Sequence, residues 1–312
     1  MMAEKTYRLV MRSDLDGIVC AILLKKMGLV GDDITFVHPK DMQDGKIEIT
    51  DNDITANLPY VEGVHLAFDH HGSETIRLEE APENYICDPD APSAARVVYN
   101  YFGGKERFPD VPESMMAGVD KADSAQFTPD DVMNPTGWSF LHFLTDPRTG
   151  LGRYHHFRIS NYNLMMELIK HCQTTPIEEV LALPDVKERV DVYMENAEKF
   201  KEQVQRCATM HKNLVVLDLR NEETIYAGNR FMIYALFPDC NISIHVLWGK
   251  QKQNTAFAVG KSIFNRASKT NIGELMLQYG GGGHPAAGTC QADNENVDEV
   301  LQALIDKITA DG

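Results

Sequence analysis

No stretch of this 312-residue chain approaches the roughly 20 consecutive apolar residues that a membrane span requires. The opening M-M-A-E-K-T-Y-R-L lacks the apolar core of an export signal, so a cytoplasmic protein without a membrane partner is expected. The six cysteines, Cys20, Cys87, Cys172, Cys207, Cys240 and Cys290, contain no C-x-x-C pair. That scatter argues against a zinc site or a disulfide framework and for reduced thiols. Internal repeats and low-complexity tracts are also missing. So is any excess of positive charge: the net charge of −16 argues against electrostatic binding to long nucleic acid, which depends on neutralising phosphates.

The charge is unevenly spread. From Arg206 to Gly312 there are 10 basic and 11 acidic residues, so almost all the excess acid lies earlier. Residues 240 to 273 hold Lys250, Lys252, Lys261, Arg266 and Lys269 and no acid. A local cationic surface on an acidic protein suits a small phosphorylated ligand; a solvated strand face is the plainer alternative.

At this length, with 43% hydrophobic residues, two domains are more natural than one. The first half alternates strand-like Y-R-L-V-M, D-I-T-F-V-H-P, K-I-E-I-T and V-H-L-A-F with the amphipathic helical run D-G-I-V-C-A-I-L-L-K-K-M-G, and helix-period stretches follow at 93–102 and 112–126. This predicts an α/β fold with a mostly parallel N-terminal sheet flanked by helices on both faces. From Phe157 to His211 the pattern is helical, and D-V-K-E-R-V-D-V-Y-M-E-N-A-E-K-F-K-E-Q-V has the charge mixture of a solvated linker helix. The rest reads as a smaller C-terminal α/β domain.

In open parallel sheets ligands collect beyond the carboxyl ends of the strands. The expected strand ends are acidic: Arg12, Ser13, Asp14 and Asp16 after the first, Asp51 and Asp53 after K-I-E-I-T, and Asp69, His70 and His71 after V-H-L-A-F. Asp120 and Asp123 lie one helical turn apart and share a face. Four acidic clusters at one edge would repel one another unless cations sit among them. Oxygen ligands with an imidazole suit manganese or magnesium, with iron or cobalt as alternatives. Taken singly, each acid is as readily a helix cap or turn residue. Near the end stands G-G-G-G-H-P-A-A-G, Gly280 to Gly288, whose bare backbone could approach a phosphate as an anion nest or simply form a loop after a helix.

The ordered set D-L-D-G, an acid after K-I-E-I-T, D-H-H, A-D-S and G-G-G-G-H-P-A-A-G resembles the DHH phosphoesterase family with its DHH-associated C-terminal domain, over nearly the whole chain. The resemblance implies a catalytic metal-binding domain over 1–190, a linking helix over 191–212 and a substrate-binding domain over 213–312, with the active site in the cleft between the domains. It implies two divalent cations, usually Mn2+, with Mg2+ or Co2+ as alternatives. Asp14 and Asp16 would each hold one ion, Asp51 would bridge them, His70 would complete one sphere and Asp123 the other. Asp53 for Asp51 and Asp120 for Asp123 are the alternatives. Asp69 would orient an imidazole, His71 would face the phosphate or a leaving oxygen, and Gly281, Gly282, Gly283 and His284 would grip substrate with Arg266 or Lys261 on phosphate.

One departure stands out. Oligoribonuclease- and pyrophosphatase-type members carry a histidine four residues before the first aspartate, where this chain has Val10; exonuclease-type members carry an aspartate where it has Arg12. Either one of the two sites is weak, or Arg12 supplies a fixed charge in place of part of a cation's role. The expected function is hydrolysis of a short nucleotide: a short oligonucleotide, a nucleoside bisphosphate or a linear dinucleotide. An exopolyphosphatase- or pyrophosphatase-like enzyme and a weakly catalytic nucleotide sensor are the competing readings. Paired long helices would allow a homodimer, though no motif demonstrates one.

Overall fold

Tyr7–Met11 forms an extended strand, β1, with its last three residues buried. In the computed structural model, which describes residues 5–72 and 82–312, it joins β2 (Val30–Phe36), β3 (Asp53–Ala56), β4 (Leu66–Asp69) and β5 (Tyr85–Cys87). The strand order is β2-β1-β3-β4-β5 and every pairing is parallel. The order reverses direction between β1 and β3, which is the topological switch point where such sheets open a crevice at their carboxyl edge.

Helix α1 (Leu15–Lys26) follows β1 and differs from the amphipathic expectation: every residue from Leu15 to Leu24 is buried. It packs against α2 (Ala94–Tyr101), α3 (Glu113–Asp123) and α5 (Asn161–His171), with α4 (Gly137–Thr145) also touching it. A helix enclosed on all sides reads as apolar all round rather than striped. The consequence is that Asp16, in its first turn, is carried into the interior at 2% exposure.

K-I-E-I-T is not a strand. Its Ile47 and Ile49 pack on Val10, Val37, Met42 and Leu58, while the ladder begins later, with Arg8 beside Asp53. Arg8 fixes that register. Its Nε donates to Asp53 Oδ1 at 2.6 Å and its Nη2 to Oδ2 at 2.9 Å, and the Thr50 N–H donates to the same Oδ2 at 2.7 Å. These contacts hold the Asp53 carboxyl below its ordinary range although burial works the other way. Asp53→Ala should destabilise the fold by about 3 kcal/mol, the scale for breaking a largely buried ion pair. A carboxyl with a lowered folded pKa contributes stability above its unfolded value and loses it as pH falls through the folded one. Chemical denaturation from pH 7 downward should therefore show a full gap between wild type and variant at neutral pH that closes below the ordinary carboxylate value of 3.8. A gap independent of pH would refute the ion-pair origin.

The chain divides into two units, Met1–Gln126 with Pro135–Asp191 and Phe127–Asn134 with Val192–Gly312. The division falls inside α6 (Pro184–Cys207), which runs directly into β6 (Ala208–His211). The second unit has a mixed sheet ordered β10-β11-β9-β8-β7-β6, with β7 (Leu214–Asp218), β8 (Ile242–Trp248), β9 (Asn254–Lys261), β10 (Gly282–His284) and β11 (Ala287–Asp293). Leu214, Val216, Ile244, Val246, Phe257 and Val259 form its core with Ile272 and Met276 of α7 (Ile272–Leu277) and Leu304 and Ile308 of α8 (Val297–Asp311).

The glycine run belongs to this sheet instead of forming a free loop. A Cβ on Gly281 would stand 2.0 Å from the Thr289 carbonyl oxygen, and one on Gly283 2.3 Å from that of Ala287. Gly283 also has φ +157°. Two of the glycines are thus required by the close approach of β10 to β11.

Candidate metal centre and active site

The centre is built from four chain segments that meet at the carboxyl edge of the parallel sheet. Asp14 caps α1, accepting from the Gly17 N–H at 3.0 Å. Gly17 is glycine for a steric reason: a Cβ there would stand 2.1 Å from the Arg12 carbonyl oxygen, so the turn can close over β1 only without a side chain. Arg12 Nε lies 2.9 Å from Asp14 Oδ2, and Asn57 Nδ2 donates to Asp14 Oδ1 at 3.3 Å. Burial pushes the Asp14 carboxyl up, and the Arg12 guanidinium opposes the rise.

Asp16 faces the amino end of α2. Its Oδ2 accepts from the Ala94 N–H at 2.9 Å and its Oδ1 from the Ala95 N–H at 2.7 Å. Two main-chain donors at a helix start suit a carboxylate, yet burial and the nearby Asp123 charge push Asp16 up to about 8, against the pull of His70. His70 sits just past β4 with Nδ1 3.2 Å from the Ala91 carbonyl oxygen. Its Nε2 lies 2.7 Å from Asp123 Oδ2 but is not aligned for a hydrogen bond with it. Burial works against the charge on His70, but contact with Asp123 and the field of Asp16 raise it to about 9; His70 in turn holds Asp123 below the carboxylate range despite burial.

One ligand atom from each of Asp16, His70 and Asp123 lies within 4.8 Å of the others, among the described residues. Two carboxylates and a buried imidazole nitrogen gathered at one point fit a divalent cation taking oxygen and nitrogen donors. Asp69 stands behind them. Its Oδ1 accepts from the His70 N–H at 2.9 Å and lies 2.7 Å from His71 Nδ1, and its Oδ2 accepts from the Tyr85 hydroxyl at 3.1 Å. Burial lowers the His71 imidazole, but Asp69 more than compensates, so it is held above its ordinary value.

Of the expected ligands, the structure brings Asp16, His70 and Asp123 together and sets Asp14 beside Arg12. It does not bring Asp51 to them. Asp51 lies exposed in the turn before β3, at the opposite end of a strand whose carboxyl end carries Asn57. The reason is the Arg8–Asp53 register, which starts the strand beyond Asp51 and occupies Asp53 as well. Asp120 is likewise engaged elsewhere, accepting from Ser93 Oγ at 2.7 Å and Arg96 Nε at 2.9 Å.

Two side chains that interact with these acids escape sequence reading. Asn57, at φ +55°, is uncharged and so carries no metal signature. Arg148 follows α4 in a short 3-10 turn, Pro147–Thr149, with its side chain half exposed; its Nε donates to Asp146 Oδ1 at 2.7 Å, and its charge is stabilised by Asp146, Asp14 and Asp123. No local motif marks it.

In the second unit, His284 is exposed with Nδ1 accepting from the Ala286 N–H at 3.3 Å, Lys261 Nζ donates to the Ser268 carbonyl at 3.0 Å, and exposed Arg266 donates to that of Ile263 at 3.0 Å. No helix among the described residues is long and apolar enough to cross a membrane.

No protein-family model and no curated protein matches the chain. Among solved structures it is similar to the pGpG-specific phosphodiesterase of Vibrio cholerae, at 62% identity over 98% of this chain and 100% of that one, with a TM-score of 0.86. It shares its fold with RecJ of Thermus thermophilus in complex with Mn2+, at 15% identity over 99% of this chain and 53% of that one (TM-score 0.55). A manganese-bound exonuclease RecJ matches 97% of this chain and 90% of its own at 15% identity (TM-score 0.50).

Proposed function

The chain belongs to the DHH phosphoesterase family, and from that premise we propose that it is a metal-dependent phosphodiesterase whose substrate is the linear dinucleotide pGpG. The observation that carries the substrate is the full-length, 62% identical relative specific for pGpG. The reaction adds water to phosphorus, breaks the bond to the 3′ oxygen and releases two mononucleotides.

Asp16, His70 and Asp123 would hold one Mn2+, with Mg2+ or Co2+ as substitutes. A bound cation of this kind lowers the pKa of a coordinated water and neutralises phosphoryl oxygens. A second ion of equal affinity is not supported: Val10 offers no ligand atom, the residue after β3 is the uncharged Asn57, and Asp14 is paired with Arg12. Arg12 and Arg148 instead supply fixed positive charge for the phosphate. His71, oriented by Asp69, whose carboxylate favours the protonated imidazole against the effect of burial, would give its Nε2 proton to the departing 3′ oxygen. Because packing of the hairpin occupies Gly281 and Gly283, Gly282 and His284 remain for substrate, with Lys261 and Arg266 as its cationic contacts. The free cysteines agree with a cytoplasmic enzyme.

Mononucleotide and phosphate release from pGpG, adenosine bisphosphate, pyrophosphate and polyphosphate, each with Mn2+ or with chelator, tests this reading. Metal-dependent release from pGpG and little from the inorganic substrates is expected. Tight nucleotide binding without turnover of any of them would make the protein a sensor instead.

A further inference from the structure

The segment after α4 walls a cavity of about 380 Å3 within the first unit. Asp146, Tyr154, His155, Phe157, Asn161 and Arg189 line it. One wall is preassembled: the Arg189 guanidinium lies 4.0 Å from the centre of the Phe157 ring, and Nη1 and Nη2 donate to the carbonyls of Asp185 and Ile159 at 2.9 and 2.7 Å. Asp146, 5% exposed, adds a carboxylate to the same cavity.

The cavity is tied to the catalytic edge by two links. Asp146 holds Arg148, whose charge is stabilised by Asp14 and Asp123. Asn161, on the rim, donates to the hydroxyl of Ser13 at 3.4 Å, and Ser13 sits between Arg12 and Asp14. A substrate phosphate at Arg148 therefore has this cavity as the neighbouring compartment.

We propose that the cavity is a nucleobase subsite that takes a guanine of the substrate. Single-stranded nucleotides are recognised by stacking bases on aromatic rings or guanidinium planes and by hydrogen bonds to their Watson–Crick edges. The cavity provides both kinds of group, and its volume lies in the range of small-ligand sites. Guanine presents adjacent N1–H and N2–H donors that a carboxylate accepts together, whereas adenine turns an acceptor nitrogen toward it. Asp146 thereby selects guanine, while Tyr154 and His155 supply stacking surface. This inference rests on the dinucleotide reading above.

The test compares pGpG, pApA and the base-free diester bis(p-nitrophenyl) phosphate, with Mn2+, in wild type, Tyr154→Ala, His155→Ala and Asp146→Asn. At least one of the two alanine variants should lose about tenfold in kcat/KM on pGpG and nothing on the base-free diester. Asp146→Asn also loosens Arg148, which lowers every substrate alike; its specific effect is a fall of about tenfold in the preference for pGpG over pApA. Wild type inactive on both dinucleotides but active on the base-free diester would remove the dinucleotide reading itself. Wild type active on pGpG, with the alanine variants unchanged or equally impaired on all three substrates and the preference of Asp146→Asn intact, would overturn the subsite alone. Thermal melts of each variant separate misfolding from either result.

Discussion

His70→Ala should abolish manganese-dependent phosphodiester hydrolysis and manganese binding together. The ring nitrogen removed is the one donor of the trio that carries no negative charge, and it stands 2.7 Å from Asp123 Oδ2. Losing a group that merely supports a metal ligand costs about 10–100-fold, so losing a ligand should cost well beyond that, on the order of a thousandfold in kcat. Calorimetric titration should give one Mn2+ per wild-type chain and none for the variant. Without metal, the imidazolium also pairs with the Asp123 carboxylate, so the variant should melt earlier than wild type in chelator. Asp123→Asn should repeat the loss of metal while keeping shape. Turnover within a few fold of wild type in either variant would dissolve the proposed centre, and two equal manganese sites in wild type would restore the two-ion arrangement.

Arg148→Ala should lower kcat/KM for pGpG by about a hundredfold, close to 2.7 kcal/mol of transition-state stabilisation. Manganese affinity should not fall, because Arg148 touches Asp146 rather than Asp16, His70 or Asp123 and its charge only competes with a cation for Asp123. A planar guanidinium offers two parallel donors to a phosphoryl group, whereas an ammonium offers a point charge. Arg148→Lys should accordingly recover only part of the loss. Full recovery in the lysine variant would reduce the role of Arg148 to general field strength, and unchanged kinetics in the alanine variant would place it outside the reaction.

The places of Asp14, Asp16, His70 and Asp69 are legible because they are local: each sits at the end of an apolar run or in the first turn after it, and period and punctuation mark such positions. Asp51 was misplaced because the start of β3 is decided by Arg8, 45 residues away in sequence, not by the apolar character of K-I-E-I-T. The interior burial of α1 was hidden for a similar reason, since only α2, α3 and α5 packing around it make all its faces inward. Arg148, Asn57 and the Tyr154–Phe157 wall carry no periodic or spaced signature, so tertiary packing alone reveals them. The glycine run was visible, but half of its purpose was steric and internal to the hairpin.

Asp16 answers to two masters. The same carboxylate that would help gather the cation also satisfies the first free amides of α2, at Ala94 and Ala95. Chemistry and architecture therefore cannot drift apart at this position. A descendant of this lineage that abandoned catalysis would still be held to an acceptor here, or would have to reshape the start of α2 in the same step. An aspartate persisting at position 16 in such a chain would be a record of how the fold is fastened, and no proof that the enzyme still works.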